Sequence, residues 1–280
     1  MPFSDSRVEA FQEPMPEWGF DVFEIITDLG DPLFFILLVS LIFWLTDHTT
    51  ALWVIVAMLL VFGLTTGLKE LIAIERPPAE LQHISDEGFG IPSGHTSGSV
   101  AIYGTIAALY QVGHRWVRYG AAALLAGLIA LSRLVLGVHY LADIIAGAVL
   151  GLVVIAVVLR YRDRSPIPFF AVAAIGALVG AVLSGFEYSS AVLLFGGALA
   201  ALAMWFVISP LPTPPQRVMA ACSVVALPVV VGTAFIGIAV VDHPVALIAS
   251  TAAAMAIVLA LPAVGEELGT RFGIEQPEVQ

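Results

Sequence analysis

Three short stretches carry residues whose types and spacing could do chemistry. The first runs from Lys69 to Arg76-Pro77 and holds the only lysine in the chain. On a helix, positions seven apart share a face, about 10.5 Å apart along the axis. Proline disfavours helix at the residue before it, so the chain should turn outward at Arg76. The second stretch is Pro92-Ser93-Gly94-His95. Ser93 can cap a following helix, and Gly94 allows close backbone approach. The N–H groups at such a helix start favour an anion, with His95 standing where a proton donor would be useful. The third runs from Ser132-Arg133 through His139 to Asp143. His139 and Asp143 are spaced to share a helical face, and a carboxylate on one ring nitrogen strengthens the other as nucleophile or base. Singly, each stretch has a structural explanation: snorkelling basic side chains, an ordinary capped helix start, and a His–Asp pair joining two helices. Together they offer three cations, a helix N-terminus, two histidines and a carboxylate, which suits a phosphate-sized anion. No cluster of carboxylates or cysteines has the make-up of a catalytic metal site, so the composition suggests metal-free phosphoryl transfer through histidine.

The elements that must hold these residues are membrane helices. The chain has 280 residues, of which 59% are hydrophobic and only 12% charged; a soluble domain carries about 25% charged residues. Residues 49–68, 165–186, 188–216, 218–241 and 244–265 contain no charged residue or histidine. Each is long enough to cross a hydrocarbon core of about 30 Å. Four shorter candidates near 29–46, 95–113, 117–136 and 139–159 complete an all-α bundle of nine helices, helices being required because lipid offers the backbone no hydrogen-bond partner. With alternating topology Arg115, Arg118, Arg160, Arg162, Arg164, Arg217 and Arg271 fall on one side, assigned to the cytoplasm by their positive charge. Lys69, Arg76 and Arg133 then fall on the outer side, which brings the three stretches to one membrane face.

The expected organisation is an acidic N-terminal segment (1–28), a six-helix core (29–184), C-terminal transmembrane helices without an assigned role (185–265) and an acidic tail (266–280). Residues 1–31 hold eight acidic residues against one base, Arg7, and lack the basic start and apolar core of a signal peptide. They read as a lead-in to the first span rather than as an interfacial helix. Gly63/Gly67, Gly147/Gly151 and Gly176/Gly180 are spaced for close helix contacts, within one bundle rather than across a dimer face. The proline-rich stretch 209–215 reads as a loop before the last two helices. A net charge of −11 makes nucleic acid a poor partner. The single cysteine, Cys222, can form neither an intramolecular disulfide nor a zinc site alone.

The three stretches, in order, match K-x6-R-P, P-S-G-H and S-R-x5-H-x3-D, and on them the chain resembles the type-2 phosphatidic acid phosphatase family. That family is a branch of the superfamily shared with bacterial acid phosphatases and vanadium haloperoxidases. The resemblance covers roughly residues 20–184 and implies a six-helix core with no cofactor or metal. It also implies roles: His139 as the nucleophile that becomes phosphohistidine, Asp143 orienting it, and His95 protonating the leaving oxygen and then helping to activate water. Lys69, Arg76, Arg133, Ser93 and Gly94 would hold the phosphate oxygens.

A site at the outer headgroup level favours a lipid phosphate as substrate: a phosphatidic acid-like monophosphate or a polyprenyl or dolichyl pyrophosphate. The acidic excess would suit a high-salt setting, where ether lipids and dolichyl-type carriers are natural candidates. Two rival classes share the motifs: a phosphotransferase passing the group to an alcohol, and a non-enzymatic transporter. No charged residue interrupts helices six to nine to suggest an ion path. A haloperoxidase fits poorly with a membrane-embedded chain.

Overall fold

Helices form where the charge-free runs predict them, and the computed structural model describes residues 4–86, 88–240 and 243–274. Eleven α-helices and no strand occur among the described residues. Two short ones come first, α1 (Asp5–Gln12) and α2 (Glu17–Asp28). The described part of the acidic segment is therefore helical, and α2 leads into the next helix at a 43° bend. The carboxylate of Asp31 then caps α3 (Pro32–Leu45), accepting from Leu33 N–H at 2.7 Å, and Pro32 suits a first turn because its missing N–H is not needed there. Asp47 caps α4 (His48–Ile72) through Thr50 N–H at 2.8 Å. Next come α5 (Gly94–Leu109), α6 (Arg115–Val135), α7 (Leu141–Tyr161) and α8 (Ile167–Leu183). The chain ends with α9 (Ser189–Ile208), α10 (Gln216–Val240) and α11 (Pro244–Phe272).

The nine expected helices are thus present as α3 to α11, with two corrections. First, α4, α6, α7, α9, α10 and α11 have crossing length and apolarity, and α2 with α3, bent by 43°, would make one more span. Helix α5 has 16 residues and α8 has 17, which at 1.5 Å each fall short of a core of about 30 Å. In α5 the cause is local: Tyr110 is extended, so the helix stops ahead of the polar Gln111–His114 stretch. Second, α11 continues past 265 through Glu266, Glu267 and Arg271, so the beginning of the supposed tail is helix. Residues 275–280 of that tail, 1–3 of the acidic segment and 241 at the end of the eighth expected span lie outside the described residues.

Helix α4 is the axis of the bundle. It is buried along most of its length and packs against α3, α5, α7, α8 and α9. Its closest partner is α8: a Cβ added at Gly63 would strike the Ala173 backbone, and one at Gly67 would strike that of Gly176. Small residues permit this approach, which in lipid supplies the packing that the hydrophobic effect supplies in water. Apolar side chains such as Leu124, Val149, Leu152 and Ile175 are exposed on α6, α7 and α8, as suits surfaces turned to hydrocarbon. The protein is an integral membrane protein. Helices α9, α10 and α11 close the flank left by α3 and α4: α9 lies on α8 and α11, while α10 and α11 reach α3. A buried Trp44 Nε1–H donates to the Val258 carbonyl at 2.9 Å, tying α3 to α11.

Candidate functional site

Each of the three sequence clusters sits at a helix end, and the way each helix ends decides where its side chains go. Helix α4 does not continue to Arg76. Ala73 adopts the left-handed conformation (φ 51°) and stops the helix at Ile72. Lys69 therefore sits in the last turn, while Arg76 comes in from the following loop, so the two do not share a helical face as expected. Ser93 caps α5 by accepting from Thr96 N–H, and Thr96 Oγ1 donates to Ser93 Oγ at 3.1 Å. Ser93 N–H donates to the Asp143 carbonyl at 3.0 Å. That bond pins the start of α5 to the start of α7, and Gly147 permits it: a Cβ there would lie 2.7 Å from the Ser93 carbonyl oxygen.

His139 was expected to open helix five. It stands instead in the turn before α7, ahead of the N-cap Tyr140. The contact with Asp143 forms all the same, because Asp143 in the first turn of α7 reaches back. Its Oδ2 is 3.1 Å from His139 Nδ1 and accepts from Tyr140 N–H at 2.9 Å. On the other side of the ring, Arg76 Nη1 lies 3.0 Å from His139 Nε2. A guanidinium can only donate, so Nε2 must accept and Nδ1 carries the proton that Asp143 receives. The two neighbours thus fix one tautomer. Burial pushes the His139 imidazole well below its ordinary value of 6.5, and the cations of Arg76, Lys69 and Arg133 push in the same direction.

Arg76 is held in place by backbone carbonyls, donating from Nε to Gly88 at 2.8 Å and from Nη1 to Val138 at 3.0 Å. Lys69 Nζ donates to the Phe89 carbonyl. Arg133, only 1% exposed, donates from Nη1 to Thr27 Oγ1 at 2.9 Å and pairs through Nη2 with Asp86. The same Asp86 Oδ2 lies 3.0 Å from Arg76 Nη1. Asp86 thus bridges two of the three expected phosphate-binding cations. Burial raises its pKa, but Arg133 and Arg76 lower it more, and the net position is below the usual carboxylate value.

Lys69, Arg76, Gly94, His95 and His139 line one cavity of about 410 Å³. Arg133 touches it through Asp86, Asp143 supports it through His139, and Ser93 through the start of α5. All eight expected site residues therefore belong to one connected cluster. Among the described residues no three His, Cys, Asp or Glu side chains are grouped so as to hold a metal ion. Asp86, Thr27 and Tyr188 were not expected. Asp86 follows no motif, and its one signal is an acid on the cation-rich outer face. Thr27 lies on α2, in the acidic segment. Tyr188, just before α9, lines the cavity, and burial pushes its phenol up to about 12, which keeps it a hydroxyl.

Residues 50–167 match the PAP2 superfamily. The chain is 32% identical over 158 residues to phosphatidylglycerophosphatase B of Bacillus subtilis (strain 168), covering 52% of this chain and 77% of that protein. It is also similar to the crystal structure of a transmembrane PAP2-type phosphatidylglycerolphosphate phosphatase from Bacillus subtilis. That likeness has a TM-score of 0.51 and 28% identity, over 56% of this chain and 83% of the other. Helices α9 to α11 lie beyond the 50–167 match.

Proposed function

The chain belongs to the PAP2 superfamily, and from that premise we propose that this phosphoric ester hydrolase removes phosphate from a lipid, without a metal, through a phosphohistidine on His139. The observation that carries the reading is the placement of His139: Nδ1 lies 3.1 Å from Asp143 Oδ2 and Nε2 lies 3.0 Å from Arg76 Nη1, so a phosphate that draws Arg76 away brings its phosphorus to Nε2. In the first step Nε2 attacks phosphorus and the bond from phosphorus to the lipid oxygen breaks. His95 gives that oxygen a proton. In the second step water attacks the phosphohistidine, His95 takes the proton from water, and inorganic phosphate leaves with His139 restored. Asp143 offsets the charge gained by the imidazole.

Lys69, Arg76 and Arg133, with the Gly94 N–H at the start of α5, meet the equatorial oxygens, while Ser93 holds that helix start in place. Once the anion has replaced Asp86 these donors are fixed around it, so little further reorganisation is needed as charge develops. Asp86 holds the position between Arg76 and Arg133 that a phosphate oxygen takes, and the incoming anion displaces it. The relatives' names point to a phosphatidylglycerol phosphate in those proteins. Here the substrate class is a lipid mono- or pyrophosphate, handled on the extracytoplasmic face of the plasma membrane. The arginines at the ends of α6, α7, α10 and α11 opposite the site support that orientation.

The test is phosphate release by the purified full chain across a panel of lipid phosphates with chelator present. Release that persists with chelator and disappears in His139→Ala is the expected result. Release by a folded His139→Ala protein overturns the nucleophile assignment.

A further inference from the structure

The cavity does not stop at the phosphate site. Along α4 it is lined in turn by Lys69, Phe62, Met58 and Ile55, a run of about 21 Å at 1.5 Å per residue. That exceeds one leaflet of hydrocarbon, about 15 Å. Its far wall comes from helices outside the family match: Gly197 of α9, Val230 of α10, and Ala254 and Val258 of α11. The outer end is cationic, and the inner end is apolar apart from hydroxyls such as Thr251. A lipid phosphate has this distribution of polarity.

The phosphate site and this apolar run form one continuous cavity of about 410 Å³. Gly197 keeps the α9 side of this cavity open. Its neighbour Gly196 is needed for packing, since a Cβ there would press on the Ile248 carbonyl of α11. A Cβ at Gly197 would meet only Met255 Cε, at 4.0 Å. Glycine in mid-helix weakens the helix relative to alanine, and at Gly197 no helix contact repays that. The open space beside it belongs to the cavity.

We infer that α9, α10 and α11 form a sleeve for the hydrocarbon of the substrate, which makes long-chain lipid phosphates the class that fits. The inference rests on the phosphatase reading for its polar end, and the sleeve itself can be tested without catalysis. The experiment measures dissociation constants of hydrolysis-resistant n-alkyl phosphonates of increasing chain length for the purified full chain in detergent. Affinity should rise with length, by up to roughly fourfold per buried methylene, and level off once the chain spans the run from Lys69 to Ile55. Gly197→Phe, which fills the sleeve, should reduce the long-to-short affinity ratio by about tenfold or more, the loss of only two buried methylenes. Leu199→Phe, on the exposed side of the same helix, should keep the parental slope. Ala254→Leu gives the same readout from α11 if Gly197→Phe does not yield folded protein.

A parental slope retained in both sleeve variants, or a parent whose affinity ignores chain length, overturns the sleeve. Failure of the parent to release phosphate from any lipid phosphate, with the slope intact, overturns the phosphatase reading and leaves the sleeve standing.

Discussion

Lys69, Arg76, Asp86 and Arg133 gather three cations and an anion at the outer end of the cavity, whereas α9, α10 and α11 line its inner end without one charged side chain. The outer end depends on fixed angles and distances. Arg76 holds His139, Asp86, Gly88 and Val138 at once, and moving any of them by 1 Å breaks a bond. The inner end depends on volume alone, so many apolar side chains would serve. Single substitutions should therefore act steeply at the first and gradually at the second.

The largest effect should come from His139→Ala. Phosphate release should fall by at least about a thousandfold, since losing the nucleophile removes nearly all turnover, while the protein remains in the membrane fraction. Arg76→Ala should lower kcat by roughly 10²–10³-fold, the typical cost of one preorganised donor, about 2.7–4 kcal/mol. Arg76→Lys should restore only part of that, because a point charge cannot donate to several groups in a fixed fork. Steady-state kinetics with one lipid substrate measures both. A variant at the outer end that loses less than a variant at the inner end would break the contrast.

Asp86→Asn should act in the opposite sense. It removes the negative charge that competes for Arg76 and Arg133, so product inhibition by inorganic phosphate should tighten by on the order of tenfold; weaker inhibition would make Asp86 a positioning residue for the arginines. A pH profile sharpens the same end. An ordinary imidazole would lose half of its neutral form at pH 6.5. His139 is held below that value in the folded protein, so the neutral nucleophile persists and the acid limb of kcat/KM should lie below pH 6.5. The linkage runs the same way: as pH falls through 6.5 the unfolded chain binds a proton that the native His139 refuses, so the stability from this group is full above 6.5 and declines below it. The smallest effect is expected where α3 meets α11. Trp44→Phe leaves the Val258 carbonyl without its donor, which should cost about 1–2 kcal/mol in thermal unfolding in detergent with no change in kcat on a short-chain phosphate.

The same contrast explains what could be read in the sequence. An anion site needs particular groups at particular spacings, so Lys69, Arg76, Ser93, His95, Arg133, His139 and Asp143 were legible as a set. Apolar runs made α3 to α11 legible, because a charge-free stretch of that length has few other uses. The placement of Arg76 was not legible: it depends on Ala73 taking a left-handed conformation that alanine seldom adopts. Neither was Asp86, because a carboxylate paired with phosphate-binding cations competes with the anion that their spacing implies. The sleeve was least legible of all. Its walls use the same residues as any membrane helix, and Gly197 looks like its packing neighbour Gly196 until both are placed against α11.

The N-terminal helices bear on how a substrate arrives. Gln12 of α1 donates to the Leu81 and Val135 carbonyls at 2.8 and 3.1 Å, and Asp5 accepts from the Tyr140 hydroxyl at 2.8 Å. This fastens an acidic canopy beside the turns that carry Arg133 and His139. Under the proposed function those carboxylates would repel a dissolved phosphate ester, which leaves the bilayer side as the approach for a lipid headgroup.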